Sequence, residues 1–123
     1  MIAPDLRHFI NELAKYTHEA NKHWWTDLYT GEKLERNVGE MLMLMVSELS
    51  EMLEAHRKDL MDDKLPHRKG EEVEAADLLI RLLDYCGGRG LDIGGAYAEK
   101  MMYNSAREDH KRESRLAKGG KKY

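Results

Sequence analysis

Between Glu71 and Cys86, apolar residues occupy most of a helix's circumference: Val73, Ala75, Ala76, Leu78, Leu79, Ile80, Leu82 and Leu83. Only a narrow strip of Glu74, Asp77, Arg81 and Asp84 stays polar. A helix this apolar must be covered by neighbouring elements. The rest of the chain offers helices to cover it. Met, Leu, Ala, Glu and Lys dominate and all favour helix, whereas alternating β-branched runs are absent. The two prolines, Pro4 and Pro66, fall where a helix can start or a loop can run. The expected fold class is all-α, a bundle of about four helices.

The first helix is expected from about Pro4 to Lys22. Pro4 and Asp5 suit a first turn. Leu6, Phe9, Ile10, Leu13, Tyr16 and Thr17 form one stripe at helical spacing. His23, Trp24 and Trp25 then lead into a loop through Gly31. The second helix is expected from about Val38 to Leu60, with Met41 to Val46 apolar on all sides and so buried centrally. A charged linker containing Pro66 follows. The third helix spans about Glu71 to Cys86 and stops at Gly87-Gly88. The fourth runs from about Leu91, through Gly94-Gly95, to near Arg112. Residues 1–114 read as one domain and 115–123 as a basic, flexible tail.

Two acidic doublets carry the chemistry. Glu48 and Glu51 stand three residues apart in the second helix, as do Glu74 and Asp77 in the third. Side chains at this spacing share a face, about 5–6 Å apart at Cβ. Glu48 and Glu51 fall among Met41, Leu44, Met52 and Ala55, so they interrupt an apolar face. The polar arc of that helix lies elsewhere, at Ser47, Ser50, Glu54, Arg57 and Lys58. Carboxylates converging between two helices would repel by roughly 3 kcal/mol per close pair at an effective dielectric of about 20. Such repulsion calls for a cation or for raised pKa values. A ligand set made only of oxygen selects a hard cation, Mg²⁺ or Mn²⁺. Mg²⁺ typically bridges protein carboxylates to substrate phosphates. Lys100, Asn104 and Arg107 lie at i, i+4 and i+7 of the fourth helix, which makes them a candidate row for phosphates.

Composition narrows the alternatives. In 123 residues, 20 Lys and Arg stand against 23 Asp and Glu, for a net charge of −3. That balance argues against general nucleic-acid coating. A single cysteine, Cys86, excludes an intramolecular disulfide and fits a reducing compartment. No apolar run is long enough for a membrane helix, and Met1 to Arg7 lacks a signal pattern. A cytoplasmic protein is the expectation. Glu-x-x-His motifs and a Walker loop are both missing. The rival from another class is a non-catalytic helical interaction protein. Its basic segment, Arg107 to Tyr123, carries seven Lys and Arg against three Asp and Glu and would touch nucleic acid or an acidic partner.

The motif order resembles the MazG-like branch of the all-α NTP pyrophosphohydrolases. Glu48-Leu49-Ser50-Glu51 is followed by 22 residues, then Glu74-Ala75-Ala76-Asp77, then Lys100 through Asn104 to Arg107. The similarity extends to VSELSEMLEAHRK, EVEAADLLIRLLDYCGGRGLDI and EKMMYNSARE, and covers about Val38 to Arg107. The resemblance implies a helical fold assembled as a homodimer or homotetramer. It implies Mg²⁺ on Glu48, Glu51, Glu74 and Asp77. It implies hydrolysis of a nucleoside triphosphate, deoxy or ribo, to the monophosphate and pyrophosphate through a metal-activated water. Lys100, Asn104 and Arg107 would then meet phosphates or sugar, and Asn21, Trp24 and Trp25 would supply base contacts. Small phage relatives share the compact form, so bacterial or phage-infected cytosol is the implied setting. Which base is taken stays open.

Overall fold

The computed structural model describes residues 4–123. Among these, every regular element is helical: α1 (Pro4–Asn21), α2 (Val38–Arg57), α3 (Gly70–Arg89), α4 (Ile93–Ala106) and α5 (Arg112–Leu116). Two short 3-10 turns, Lys22–Trp25 and Glu108–His110, complete the set. Isolated bridges, Thr26 with Lys33 and Met61 with Lys69, pin the two long loops. No described helix is long and apolar enough to cross a membrane. The chain divides into two compact units. One is Leu13–Leu91; the other joins residues 4–12 to Asp92–Tyr123.

In the Leu13–Leu91 unit, α2 and α3 pack against each other. Asn37 caps α2, its side chain accepting from the Glu40 N–H at 2.9 Å. Glu72 accepts from the Lys69 N–H at 3.1 Å and so secures the start of α3. Gly70 lies near Ala55, while Glu48 meets Arg81. These pairs run in opposite sequence directions, so the two helices are antiparallel. Gly70 keeps their turn close: an added Cβ would stand 3.0 Å from the Ala55 Cβ and 3.1 Å from the Leu60 carbonyl. Met41, Ala55, Leu83 and Cys86 are buried.

Several sequence expectations are corrected here. α3 does not stop at Gly87-Gly88 but continues to Arg89, and Gly90 closes it in the left-handed conformation. The two glycines instead admit close neighbours. A Cβ at Gly87 would run into the Ala14 carbonyl oxygen, and one at Gly88 would stand 2.6 Å from the Trp25 ring. The buried face of α1 is at Ala14 and Thr17, while Phe9 and Tyr16 are exposed. The segment Met41 to Val46 is not wholly covered within one chain: Met41 is buried, but Leu42, Met43 and Val46 are exposed. Leu49, Leu53, Leu79, Ile80 and Leu82 extend this exposed apolar surface over α2 and α3.

In the second unit, Asn11 bridges the early part of α1 to the start of α4. Its amide donates to Asp92 at 2.7 Å, and its carbonyl accepts from the Gly94 N–H at 2.7 Å. Asp92 also caps α4 through the Gly95 N–H at 2.8 Å. α4 ends at Ala106, short of the expected Arg112. The segment expected as a free tail is tied back: Arg115 donates to the Lys122 carbonyl at 2.6 Å, and Lys121 pairs with Asp109 at 3.0 Å.

Candidate functional site

The antiparallel pairing of α2 and α3 brings Glu48, Glu74 and Asp77 together. Each offers a carboxylate oxygen, and these oxygens lie within 4.8 Å of one another. Glu48 is buried, and Glu74 and Asp77 are half-buried. Glu74 Oε2 is shut off from solvent and has no hydrogen-bond partner. The groups in its reach are the carboxylates of Glu48 and Glu51, which can only accept. Burial, then the nearness and charge of the Glu48 and Glu51 carboxylates, pushes the Glu74 carboxyl up to about 8. At neutral pH this carboxyl holds a proton that it can share with its neighbours. Asp77 is also raised, first by burial and then by the charge of Glu48, with Arg81 opposing and Asp62 and Glu51 adding to the rise.

This donor set fits a hard divalent cation. All its atoms are carboxylate oxygens, which suit Mg²⁺ or Mn²⁺ rather than a soft metal. A cation among Glu48, Glu74 and Asp77 would give the orphaned Glu74 oxygen a partner and take the place of the retained proton. Glu51 is exposed and approaches Glu74 beside a separate hollow that includes Asp62 and Asp63.

A groove of about 670 Å³ opens from this cluster within the same unit, lined by Glu48, Asp77, Arg81, Arg36, Trp24 and Asn21 among others. Arg81 donates from Nε to Glu48 Oε1 at 2.9 Å. Trp24 is 65% exposed, its ring tilted against His23 at 5.1 Å between centroids. Asn21 donates to the Thr17 carbonyl at 2.8 Å, which leaves its side-chain oxygen available. Trp25 is committed elsewhere. It is buried, its indole N–H shared by both Asp84 oxygens at 3.1 Å, and Asp84 also meets His18 Nδ1 at 2.9 Å. The His18 ring packs edge-on against it at 5.0 Å.

Lys100, Asn104 and Arg107 lie in the other unit. Lys100 and Asn104 share α4, but Arg107 has left the helix, with φ −68° and ψ 129°. It forms two hydrogen bonds to Asp109, at 3.0 and 2.7 Å. The expected helical row therefore ends at Asn104. Lys100 lies 4.8 Å over the Tyr103 ring, and the Arg107 guanidinium 5.6 Å from it. Asn104 Oδ1 is enclosed without a hydrogen-bond partner.

Sequence reasoning passed over Arg81, Arg36 and Asp62 as site residues. Arg81 carried a signal, one turn beyond Asp77 in the polar strip of α3. Arg36 and Asp62 sit in loops, where periodicity is silent. Compared with known proteins, the chain matches no family model, and no curated protein or solved structure matches it significantly.

Proposed function

We propose that the chain is a MazG-like, Mg²⁺-dependent hydrolase that converts a nucleoside triphosphate to the monophosphate and pyrophosphate. The orphaned Glu74 Oε2 within the acidic cluster is the observation that carries this conclusion. A buried acid left facing only other acids is costly in a fold with no ligand for it to meet. The groove beside it adds two arginines and an exposed tryptophan, the chemistry that suits a phosphate chain and a base.

In this function Glu48, Glu74 and Asp77 would hold the cation, with Glu51 beside Glu74 as a further carboxylate. Bound Mg²⁺ supplies charge on the phosphate chain and a more acidic water at neutral pH. Glu74 would have to release its retained proton for its oxygens to serve as ligands. Trp24 offers its exposed face to the base and Asn21 a side-chain carbonyl acceptor, whereas Trp25 is buried and held by Asp84. Lys100 and Asn104 are assigned to phosphate or sugar; Arg107 is bound to Asp109 and must exchange that partner to join them. The exposed apolar faces of α2 and α3 are assigned to self-association as a homodimer or homotetramer. The decisive experiment measures pyrophosphate release from each common deoxy- and ribonucleoside triphosphate, with Mg²⁺ and with EDTA. Magnesium-dependent release from at least one nucleotide is expected. No turnover, or turnover indifferent to EDTA, overturns the assignment.

A further inference from the structure

Arg81 stands where the acidic cluster meets the groove, and the function above counts it only as one of the groove's two arginines, with no account of its bond to Glu48. Its Nε donates to Glu48 Oε1 at 2.9 Å, and its side chain is 40% exposed against 11% for Glu48. A flexible cation thus reaches from the solvent side onto an inward-facing carboxylate. The same guanidinium lines the groove together with Arg36, Glu48 and Asp77. Glu48 therefore belongs to two arrangements, the cluster with Glu74 and Asp77 and the ion pair with Arg81.

These arrangements compete. A divalent cation drawing on Glu48 takes over the neutralisation that Arg81 provides, and two cations on one carboxylate repel. Arg81 is half in solvent and hinged on a long stem, so it can leave Glu48 without unfolding α3. Beside it lies the groove, and its planar fork matches phosphate oxygens.

We propose that Arg81 is a charge-exchange residue: it neutralises Glu48 until the divalent cation is bound, then turns to the phosphate chain of the incoming nucleotide. This rests on the metal-dependent function proposed above and adds an order to it. Metal binding frees the anion-binding group, so the phosphate site is completed only once the metal is in place.

The test uses wild type, Arg81→Gln and Arg81→Lys. Mn²⁺ binding to the protein alone is measured by electron paramagnetic resonance, and KM for the preferred nucleotide at saturating Mg²⁺ by pyrophosphate release. Arg81→Gln should bind Mn²⁺ about fivefold more tightly, because a partly exposed competing ion pair is gone. It should raise KM about tenfold, the worth of one charge-assisted hydrogen bond. Arg81→Lys keeps the charge without the fork, so its Mn²⁺ affinity stays near wild type while KM rises. A simple tie between α2 and α3 predicts the opposite pattern: lower melting temperature, unchanged or weaker Mn²⁺ binding and unchanged KM. Tighter Mn²⁺ binding with unchanged KM reveals through-space repulsion only and overturns the exchange. If Arg81→Gln does not fold, an unchanged KM in Arg81→Lys overturns it. In each of these cases a wild type that binds Mn²⁺ and turns over leaves the metal-dependent function standing. A wild type that binds no Mn²⁺ overturns both, and that titration alone tells the cases apart.

Discussion

Gly87→Ala is expected to destabilise the protein, although alanine is the better helix former. In an open helix interior this change would gain about 0.5–1 kcal/mol. At position 87 the new Cβ runs into the Ala14 carbonyl oxygen, with the His18 Cβ at 2.9 Å and the Ala14 carbonyl carbon at 3.0 Å. Two of those three neighbours are backbone, so no rotamer change relieves the contact; α1 must move away from α3. Overpacking of this kind costs about 1–3 kcal/mol. The His18–Asp84–Trp25 hydrogen bonds span the same helix pair, so separating the helices strains them too. A net loss of about 2 kcal/mol corresponds to roughly 6–10 °C in a domain of this size. Thermal melts in EDTA, followed by circular dichroism and by tryptophan fluorescence, measure it. Gly88→Ala is the internal comparison. Its Cβ would meet only side chains, the Trp25 ring at 2.6 Å and His18 Cε1 at 2.9 Å, so it should shift tryptophan emission. A Gly87→Ala protein as stable as wild type would refute the close approach of α1 and α3 and restore Gly87 as a mere end of helix.

Three further outcomes are expected. Without metal, stability should fall as pH rises from 4.5 to about 8: Glu74 is raised above its ordinary value, so the folded state holds the extra proton through that window. Mg²⁺ should flatten this slope, and Glu74→Gln should remove the Mg²⁺-dependent turnover and the part of the slope nearest pH 8, leaving the lower-pH part due to Asp77; melting temperatures against pH check this. Asp84→Leu should cost about 1–3 kcal/mol by leaving the buried Trp25 N–H without an acceptor, read from urea unfolding, with Asp84→Asn losing less. Wild type should run as a dimer or tetramer by light scattering, and Leu49→Glu with Leu53→Glu should lower the mass, since both side chains are exposed on α2.

The elements legible in the sequence were those with a period. α2 and α3 follow from the recurrence of apolar residues, and the spacing of Glu48, Glu74 and Asp77 aims them to one side. Where a residue type has two physical uses, the sequence could not choose between them. Glycine ends helices and also lets helices touch. Gly87-Gly88 looked like the first use and serves the second, because the deciding atom is a carbonyl on α1, over seventy positions earlier. The end of α4 was hidden similarly: nothing in the periodicity around Arg107 says that Asp109 will draw its guanidinium out of the helical row. The tryptophans divide on the same ground. Adjacent in sequence, they differ because Trp25 is buried on Asp84 while Trp24 stays exposed beside His23.

The electrostatics of the candidate site follow from an interhelical fact. On α3 alone, Arg81 is an ordinary partner for Asp77 one turn away. Once α2 is packed alongside, its Nε hydrogen bond goes to Glu48. The cluster is then left with unequal members: Glu48 is paired with the Arg81 guanidinium, Asp77 is partly relieved by the same charge, and Glu74 keeps a proton. Burial raises Glu74 and Asp77 alike, and Arg81 opposes that rise only at Asp77. Their inequality is what makes the exchange testable, because removing one positive charge should act in opposite directions on the metal and on the phosphate chain.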